Sequence, residues 1–193
     1  MREEQTLQAL GAADAAAENM ILRAALADAQ RRIRELEEGA ETDALTGLAD
    51  GRRFARALDR VASVAGRHGT RAAVVSIELA GVNAIEDAHG AMGVEAALVH
   101  LGQTLAGLIR TSDLLARTGG HEFGLILDHM DHDSAIDTAE RLGRCIAAAP
   151  LDLGHAKVRV EVVAAATALL AGDSAPDVLL RSARNLALAR SER

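Results

Sequence analysis

Apolar residues follow steps of three and four along residues 1 to about 38, a spacing typical of an amphipathic helix. The segment lacks Pro and is rich in Ala, Glu, Leu and Arg, which favours one long helix. The apolar stripe then changes phase, as a stutter does in a coiled coil. We therefore predict that residues 1–40 form a helix and a dimeric coiled coil, the alternative being an amphipathic helix folded against its own domain. The two stripes are Leu7, Leu10, Ala17, Ile21 and Ala24, then Leu22, Leu26, Ala29, Ile33 and Leu36.

Residues 41–193 alternate between helical and strand patterns, which predicts one α/β domain with a single main sheet. Short apolar runs predict strands at about 72 to 79 and 157 to 167 and a hairpin at about 113 to 128. Helical periodicity predicts helices at about 50 to 67, 83 to 90, 93 to 110, 132 to 148 and 175 to 191. In the hairpin, consecutive Gly119 and Gly120 predict a tight turn with positive φ.

The residues of this hairpin carry a family resemblance. Residues 119 to 123 read GGHEF, which is similar to the Gly-Gly-Asp/Glu-Glu-Phe signature of the GGDEF family, the diguanylate cyclases and their inactive relatives. Residues 43 to 48 (DALTGL) and 139 to 142 (AERL) resemble the family's opening motif and later helix, and the match spans roughly residues 43 to 190. The resemblance implies a palm-like fold shared with nucleotidyl cyclases, a mainly antiparallel sheet flanked by helices.

The resemblance also implies a chemistry that this sequence does not fully support. Cyclases of this family join two GTP molecules, and metal ions held by carboxylates neutralise the phosphates. Glu78 replaces the usual Asp of the first strand, and His121 replaces the carboxylate of the signature. Neutral imidazole brings no negative charge to a Mg²⁺ site, so we expect no catalytic residues, no bound metal and no cofactor. Glu122 is better explained by the hairpin's fold, and His121 by an ordinary solvent-facing position.

The nucleotide pocket implied by the resemblance is also altered. Glu86 and Glu95 stand where the family has an Asn and an Asp that recognise guanine, and Glu86 has no amide N–H to donate. Asn83 replaces a lysine that approaches the phosphates. Arg190 keeps a positive charge for a phosphate. We interpret these residues as a vestigial nucleotide pocket.

A second site of the family is retained. Arg110 and Asp113 match its inhibitory-site motif in composition and in distance from the hairpin, and Arg141 corresponds to the site's additional arginine. Their chemistry suits cyclic di-GMP, whose guanines present acceptors to an arginine and N–H donors to a carboxylate. The simpler alternative is a surface salt bridge between Arg110 and Asp113, three residues apart.

Composition limits the classes of partner. The net charge is −7, and the chain has no Trp, no Tyr and two Phe, which argues against nucleic acid. Cys145 is the single cysteine and cannot form an internal disulfide. We find no signal peptide or long apolar span, and we expect a cytoplasmic protein that does not enter the membrane.

These observations predict a catalytically inactive GGDEF-domain protein. We expect it to bind cyclic di-GMP, to form a homodimer through the N-terminal helix and to signal to a protein partner. Two alternatives remain. Glu78 and Glu122 could hold one Mg²⁺ and support weak diguanylate cyclase activity, or the protein could act as a dimeric scaffold that binds no nucleotide.

Overall fold

The computed structural model describes residues 41 to 192 and scattered helical positions between residues 19 and 32. The chain divides into two compact units, Met1–Glu41 and Thr42–Arg193. Most of residues 1–40, over which the coiled coil is predicted, lies outside the described residues, so the coiled coil stays a prediction. No helix in the described part is both long enough and apolar enough to cross a bilayer.

Helices and strands alternate along the second unit. Within residues 41 to 192 the helices are α1 (Gly51–His68), α2 (Val82–Leu108), α3 (His132–Ala147) and α4 (Ala175–Ser191). The strands are β1 (Ala49–Asp50), β2 (Ala72–Leu79), β3 (Leu114–Arg117), β4 (Glu122–Asp128), β5 (Leu151–Asp152), β6 (Lys157–Val158) and β7 (Val162–Ala168).

Five strands form one sheet in the order β1-β3-β4-β2-β7. The short strand β1 pairs with β3 in parallel, and the other pairs are antiparallel. Helices cover both faces of this sheet, so the prediction of a mainly antiparallel sheet flanked by helices is confirmed. β5 and β6 form a separate two-stranded ribbon.

Strand β2 lies inside the sheet and contributes side chains to both faces, because successive side chains of a strand alternate. Ala73, Val75 and Ile77 join a core cluster with α2 and α3. Val74 joins a second cluster with α1 and α4 on the opposite face. The largest fully buried partners on the helices are Leu101, Leu105, Leu142 and Ile146 in the first cluster, and Phe54 and Leu58 in the second.

Side-chain caps set the starts of three helices. Asp50 caps α1 by accepting from the Arg53 N–H, and Asp131 caps α3 by accepting from the Ser134 N–H. Ser174 and Asp177 form a reciprocal capping box at the start of α4. Each cap satisfies a backbone donor that has no partner inside its helix, so these residues fix where the helices begin.

Helix α2 bends at Gly90, whose φ of 69° is left-handed. Glycine adopts this conformation without the steric cost of a Cβ. The bend also brings Gly93 against His89, since a Cβ at Gly93 would lie 2.4 Å from the His89 Cβ. The bend divides α2 into two stretches, close to the boundary between the helices predicted over 83 to 90 and 93 to 110.

Two local predictions are wrong. The strand predicted over 157 to 167 is divided into β6 and β7, and β6 turns away to pair with β5. Neither Gly119 nor Gly120 has a positive φ, because the hairpin loop has four residues, 118 to 121, rather than a tight turn. The Thr118 N–H closes this loop by donating to the Glu122 carbonyl at 2.9 Å.

Gly124 in β4 gives a direct test of the packing beneath this hairpin. A Cβ at Gly124 would lie 2.6 Å from Cζ of the buried Phe54. We therefore expect Gly124→Ala to lower the free energy of unfolding by about 1–3 kcal/mol, the usual cost of overpacking a core. Urea denaturation followed by circular dichroism measures the change.

Gly66→Ala is the matched control. Gly66 lies in α1, and a Cβ there meets nothing within 4 Å. Alanine should stabilise this helix by about 0.5–1 kcal/mol. Equal effects of the two substitutions would contradict the contact between Gly124 and Phe54.

Candidate functional site

The end of β2 and the start of β4 place two carboxylates side by side. Glu78 lies opposite Glu122 in the antiparallel register, and residues so paired have Cβ atoms about 4.5–5.5 Å apart. The Leu79 N–H donates to the His121 carbonyl at 3.0 Å, which extends the pairing into the loop. The structure thus brings Glu78, His121 and Glu122 to one end of the sheet.

Arg190, in the last turn of α4, reaches both carboxylates. Its Nη2 donates to Glu78 Oε2 and lies 4.0 Å from Glu122 Oε1. The Glu78 side chain is 21% exposed and the Arg190 side chain is 54% exposed. Arg190, which the sequence assigns to a phosphate, is therefore paired with the carboxylate of Glu78 in the same chain.

A cavity of about 540 Å³ opens beside this ion pair. Glu78, Asn83, His121 and Arg190 line it, together with the backbone around Gly81 at the start of α2. His121 and Asn83 are both exposed. Two residues of the predicted nucleotide pocket, Asn83 and Arg190, therefore share one cavity with Glu78 and His121, two of the altered catalytic positions.

Glu86 and Glu95 line a neighbouring cavity of about 430 Å³. Both project from α2, one on each side of the bend at Gly90, and both are exposed. His121 lines this cavity as well as the first one. The predicted nucleotide-pocket residues are thus distributed over two adjoining cavities that share His121.

An ion pair beneath the hairpin joins Arg117 to Asp43. Arg117 Nη1 donates to both carboxylate oxygens of Asp43 at 3.2 and 3.1 Å, and Nη2 donates to the Gly120 carbonyl at 2.6 Å. Burial of Asp43 raises its pKa, but hydrogen bonds from Thr46 and Arg117 outweigh this and hold the pKa below its ordinary value. Through Arg117, the hairpin loop that contains His121 is connected to Asp43 at the start of the domain.

Sequence reasoning did not assign a role to Arg117. The sequence did contain a local signal for its partner Asp43. Asp43 precedes Thr46 by three residues, a spacing at which an aspartate commonly accepts a hydrogen bond from the backbone. The Asp43 carboxylate does accept from the Thr46 N–H at 2.9 Å and from its hydroxyl at 2.7 Å. The bond to Arg117 spans 74 residues, and no local pattern contains it.

Arg110 and Asp113 lie in the corner between α2 and β3. The Asp113 carboxylate accepts from the backbone N–H of Arg110 at 3.1 Å, and the Asp113 N–H donates to the Arg110 carbonyl at 3.1 Å. The guanidinium of Arg110 makes no ion pair with any residue from 41 to 192. The alternative of a salt bridge between these two side chains is therefore wrong, because the carboxylate bonds to the backbone instead.

Arg141, on α3, lines the same cavity as Arg110 and Asp113. The cavity measures about 320 Å³, and both arginines are exposed. Like Arg110, Arg141 has no ion-pair partner in the described part of the domain. The remaining lining is largely apolar and includes Leu108, Ile109, Leu127 and Met130. The three residues predicted as a ligand site thus lie around one cavity.

The comparison with protein families decides the relationship. The family model described as "Diguanylate cyclase, GGDEF domain" matches residues 40–192. This chain belongs to the GGDEF domain family. The sequence resemblance to this family is thereby confirmed, and the cavities described above are features of a GGDEF domain.

The relatives and solved structures give the same family and fold. A protein of Escherichia coli K12 named "Probable diguanylate cyclase DgcE" is 34% identical over 115 residues, which are 60% of this chain and only 10% of DgcE. The GGDEF domain of DgcB from Caulobacter crescentus, solved with cyclic di-GMP, has a TM-score of 0.75 and 20% identity. That match covers 79% of this chain and 89% of the DgcB chain.

The diguanylate cyclase SiaD of Pseudomonas aeruginosa, solved with its activator SiaC, also has a TM-score of 0.75, with 22% identity. The match covers all of this chain and 76% of the SiaD chain. At such identities the likeness shows the shared fold.

The donor set of this GGDEF domain does not match the preferences of Mg²⁺. This ion takes oxygen ligands in octahedral geometry, whereas the loop offers the imidazole of His121. One oxygen of Glu78 bonds to Arg190. Within the described residues, no group of three or more His, Cys, Asp and Glu side chains could hold a metal ion.

The pair of Asp43 and Arg117 predicts a pH-dependent stability. The folded-state pKa of Asp43 is lowered. The ionised carboxylate therefore contributes its full stabilisation of the folded protein above the unfolded pKa of about 3.9, and this contribution is lost as pH falls through the folded pKa. Asp43→Asn should lower the free energy of unfolding by about 1–3 kcal/mol at neutral pH. The difference in free energy of unfolding between this variant and the wild type should become smaller below about pH 4.

Urea denaturation between acidic and neutral pH measures this difference. Asp87→Asn is the control, since Asp87 is exposed on α2 and has no ion-pair partner in residues 41 to 192. If Asp43→Asn lowers the free energy of unfolding by the same amount down to the lowest pH, the charge of Asp43 does not contribute to stability.

Proposed function

We propose that this GGDEF domain is catalytically inactive and acts as a receptor for cyclic di-GMP, which it binds through Arg110, Asp113 and Arg141. The observation that carries the proposal is the pair of arginines on one cavity, neither of which has an ion-pair partner within residues 41 to 192. Surface arginines commonly pair with carboxylates, whereas the carboxylate that lines this cavity, Asp113, accepts from the backbone N–H of Arg110. Two guanidinium groups that have no ion-pair partner in the described residues favour an anionic ligand at this cavity.

The chemistry of the cavity suits a guanine nucleotide. A guanidinium fork can donate to guanine O6 and N7 or to a phosphate. Leu108, Ile109 and Met130 provide an apolar wall against which a base can pack. The volume of about 320 Å³ lies near the lower end of the range for small-molecule pockets, roughly 300–1,000 Å³.

The other end of the domain supports the absence of catalysis. The signature reads GGHEF, with His121 at the position of a carboxylate. Arg190 neutralises Glu78, and Asn83 and Glu86 replace residues that the family uses for phosphate and guanine. The signature is therefore degenerate in this proposal, and the site near Arg110 is the retained one.

Signalling to a protein partner completes the proposal. SiaD, which shares this fold, is solved in complex with an activator protein, a precedent for a protein partner of this fold. We propose that the N-terminal helix forms a homodimer and that cyclic di-GMP favours one arrangement of it, since a ligand shifts an equilibrium only through differential affinity. We further propose a cytoplasmic location, where this second messenger is used.

Calorimetric titration of cyclic di-GMP into the full chain tests the receptor. We expect low-micromolar or tighter binding by the wild type. Arg110→Ala and Arg141→Ala should each weaken it by about 10- to 100-fold, because a hydrogen bond to a charged group contributes about 1.5–3 kcal/mol.

Arg60→Ala is the matched control for this titration. Arg60 is an exposed arginine on α1, which packs on the opposite face of the sheet from α2 and α3. Arg60→Ala should bind cyclic di-GMP with the same affinity as the wild type. Absence of binding by the wild type would reject the receptor and favour the nucleotide-independent scaffold.

An assay with GTP and Mg²⁺ tests the absence of catalysis. We expect no formation of cyclic di-GMP by chromatography and mass spectrometry, with an active diguanylate cyclase assayed in parallel. His121→Asp alone should also stay inactive, because Asn83 and Glu86 remain unchanged. A Mg²⁺-dependent product from the wild type would instead establish a weak cyclase that retains one metal at Glu78 and Glu122.

A further inference from the structure

The carboxylates of Glu78 and Glu122 form a like-charged pair at the end of the sheet. They are directly opposite in register, and their side chains are 21% and 48% exposed. Like charges directly opposite each other destabilise a pair of strands. A cation beside this pair would therefore stabilise this end of the sheet.

Arg190 supplies that cation from within the chain. Its guanidinium bonds to Glu78 and lies 4.0 Å from Glu122, so one positive charge faces both negative charges. Its position in the last turn of α4 adds a favourable interaction with the negative end of the helix dipole. The three side chains form a compact cluster of one positive and two negative charges.

Polar contacts hold α4 against the sheet and so fix the direction from which Arg190 approaches. The Ser182 hydroxyl bonds to the Ser76 hydroxyl of β2. The Asn185 amide donates to Thr167 Oγ1 of β7 at 2.9 Å. Both contacts lie on the same helix, roughly one to two turns before Arg190. Arg190 is thus anchored by the fold.

We infer that Arg190 is a built-in counter-ion that takes the place of a divalent cation at Glu78 and Glu122 and excludes Mg²⁺ from them. GGDEF enzymes need a metal for phosphoryl transfer, and here Arg190 already occupies one oxygen of Glu78 and lies beside Glu122. In place of metal, the guanidinium offsets one of the two negative charges. This inference goes beyond the proposed function and is independent of the site at Arg110.

Substitution of Arg190 in the full chain tests the inference by stability. Without added metal, Arg190→Ala should lower the melting temperature by roughly 2–4 °C, the response of a chain of this size to a loss of one modest interaction. Millimolar Mg²⁺ should recover part of this loss, because a ligand of the folded state alone stabilises it. The wild type should show no such response to Mg²⁺.

Mn²⁺ gives a second readout, since the electron paramagnetic resonance signal of free Mn²⁺ falls when the ion binds. Arg190→Ala should bind more Mn²⁺ than the wild type, and Glu78→Gln combined with Arg190→Ala should remove this gain. Arg190→Lys retains the charge and should bind no more Mn²⁺ than the wild type. Arg190→Gln replaces the alanine variant if that protein is too unstable to purify.

Arg184→Ala is the matched control. Arg184 is an exposed arginine of the same helix without an ion-pair partner in the described residues, and its removal should change neither readout. The inference is overturned if Arg190→Ala and Arg184→Ala respond alike to Mg²⁺ and Mn²⁺. It is also overturned if the wild type gains as much stability from Mg²⁺ as Arg190→Ala does.

Discussion

Alternation of side chains along β2 is the constraint on which the rest of this domain depends. The strand lies inside the sheet, so each residue is committed to one of two helical layers. Val75 and Ile77 pack toward α2 and α3, whereas Val74 and Ser76 meet α1 and α4. The same alternation directs Glu78 toward the α4 layer, where Arg190 pairs with it. Core packing and the charge cluster are therefore consequences of one register.

The hairpin of β3 and β4 links the two ends of the domain. The corner with Arg110 and Asp113 immediately precedes β3, and Arg117 ends that strand. Arg117 is tied to Asp43 and to the hairpin loop. Strand β3 is thus held at one end by the hydrogen-bonded turn of Arg110 and Asp113 and at the other end by the largely buried ion pair of Arg117 and Asp43. The cavity beside Arg110 is lined by this corner, by Leu127 of β4 and by residues of α3.

The two arginine environments differ in a way that distinguishes their roles. Arg190 contacts carboxylates, so its charge is already balanced by the protein. Arg110 and Arg141 face a cavity without such partners in the described residues. A guanidinium without a carboxylate retains its capacity to bind an external anion. Local charge balance, rather than residue type, separates a structural arginine from a candidate ligand-binding one.

The sequence by itself determined the elements with strong periodicity and the family, because these depend on residues close together in the chain. It also placed Arg110 near Asp113. Only the tertiary structure decided that Asp113 bonds to backbone, that Arg117 binds Asp43, and that Arg190 neutralises Glu78. The last two of these contacts join residues 74 and 112 positions apart, and their partners are chosen by strand register and helix packing, which no local pattern encodes.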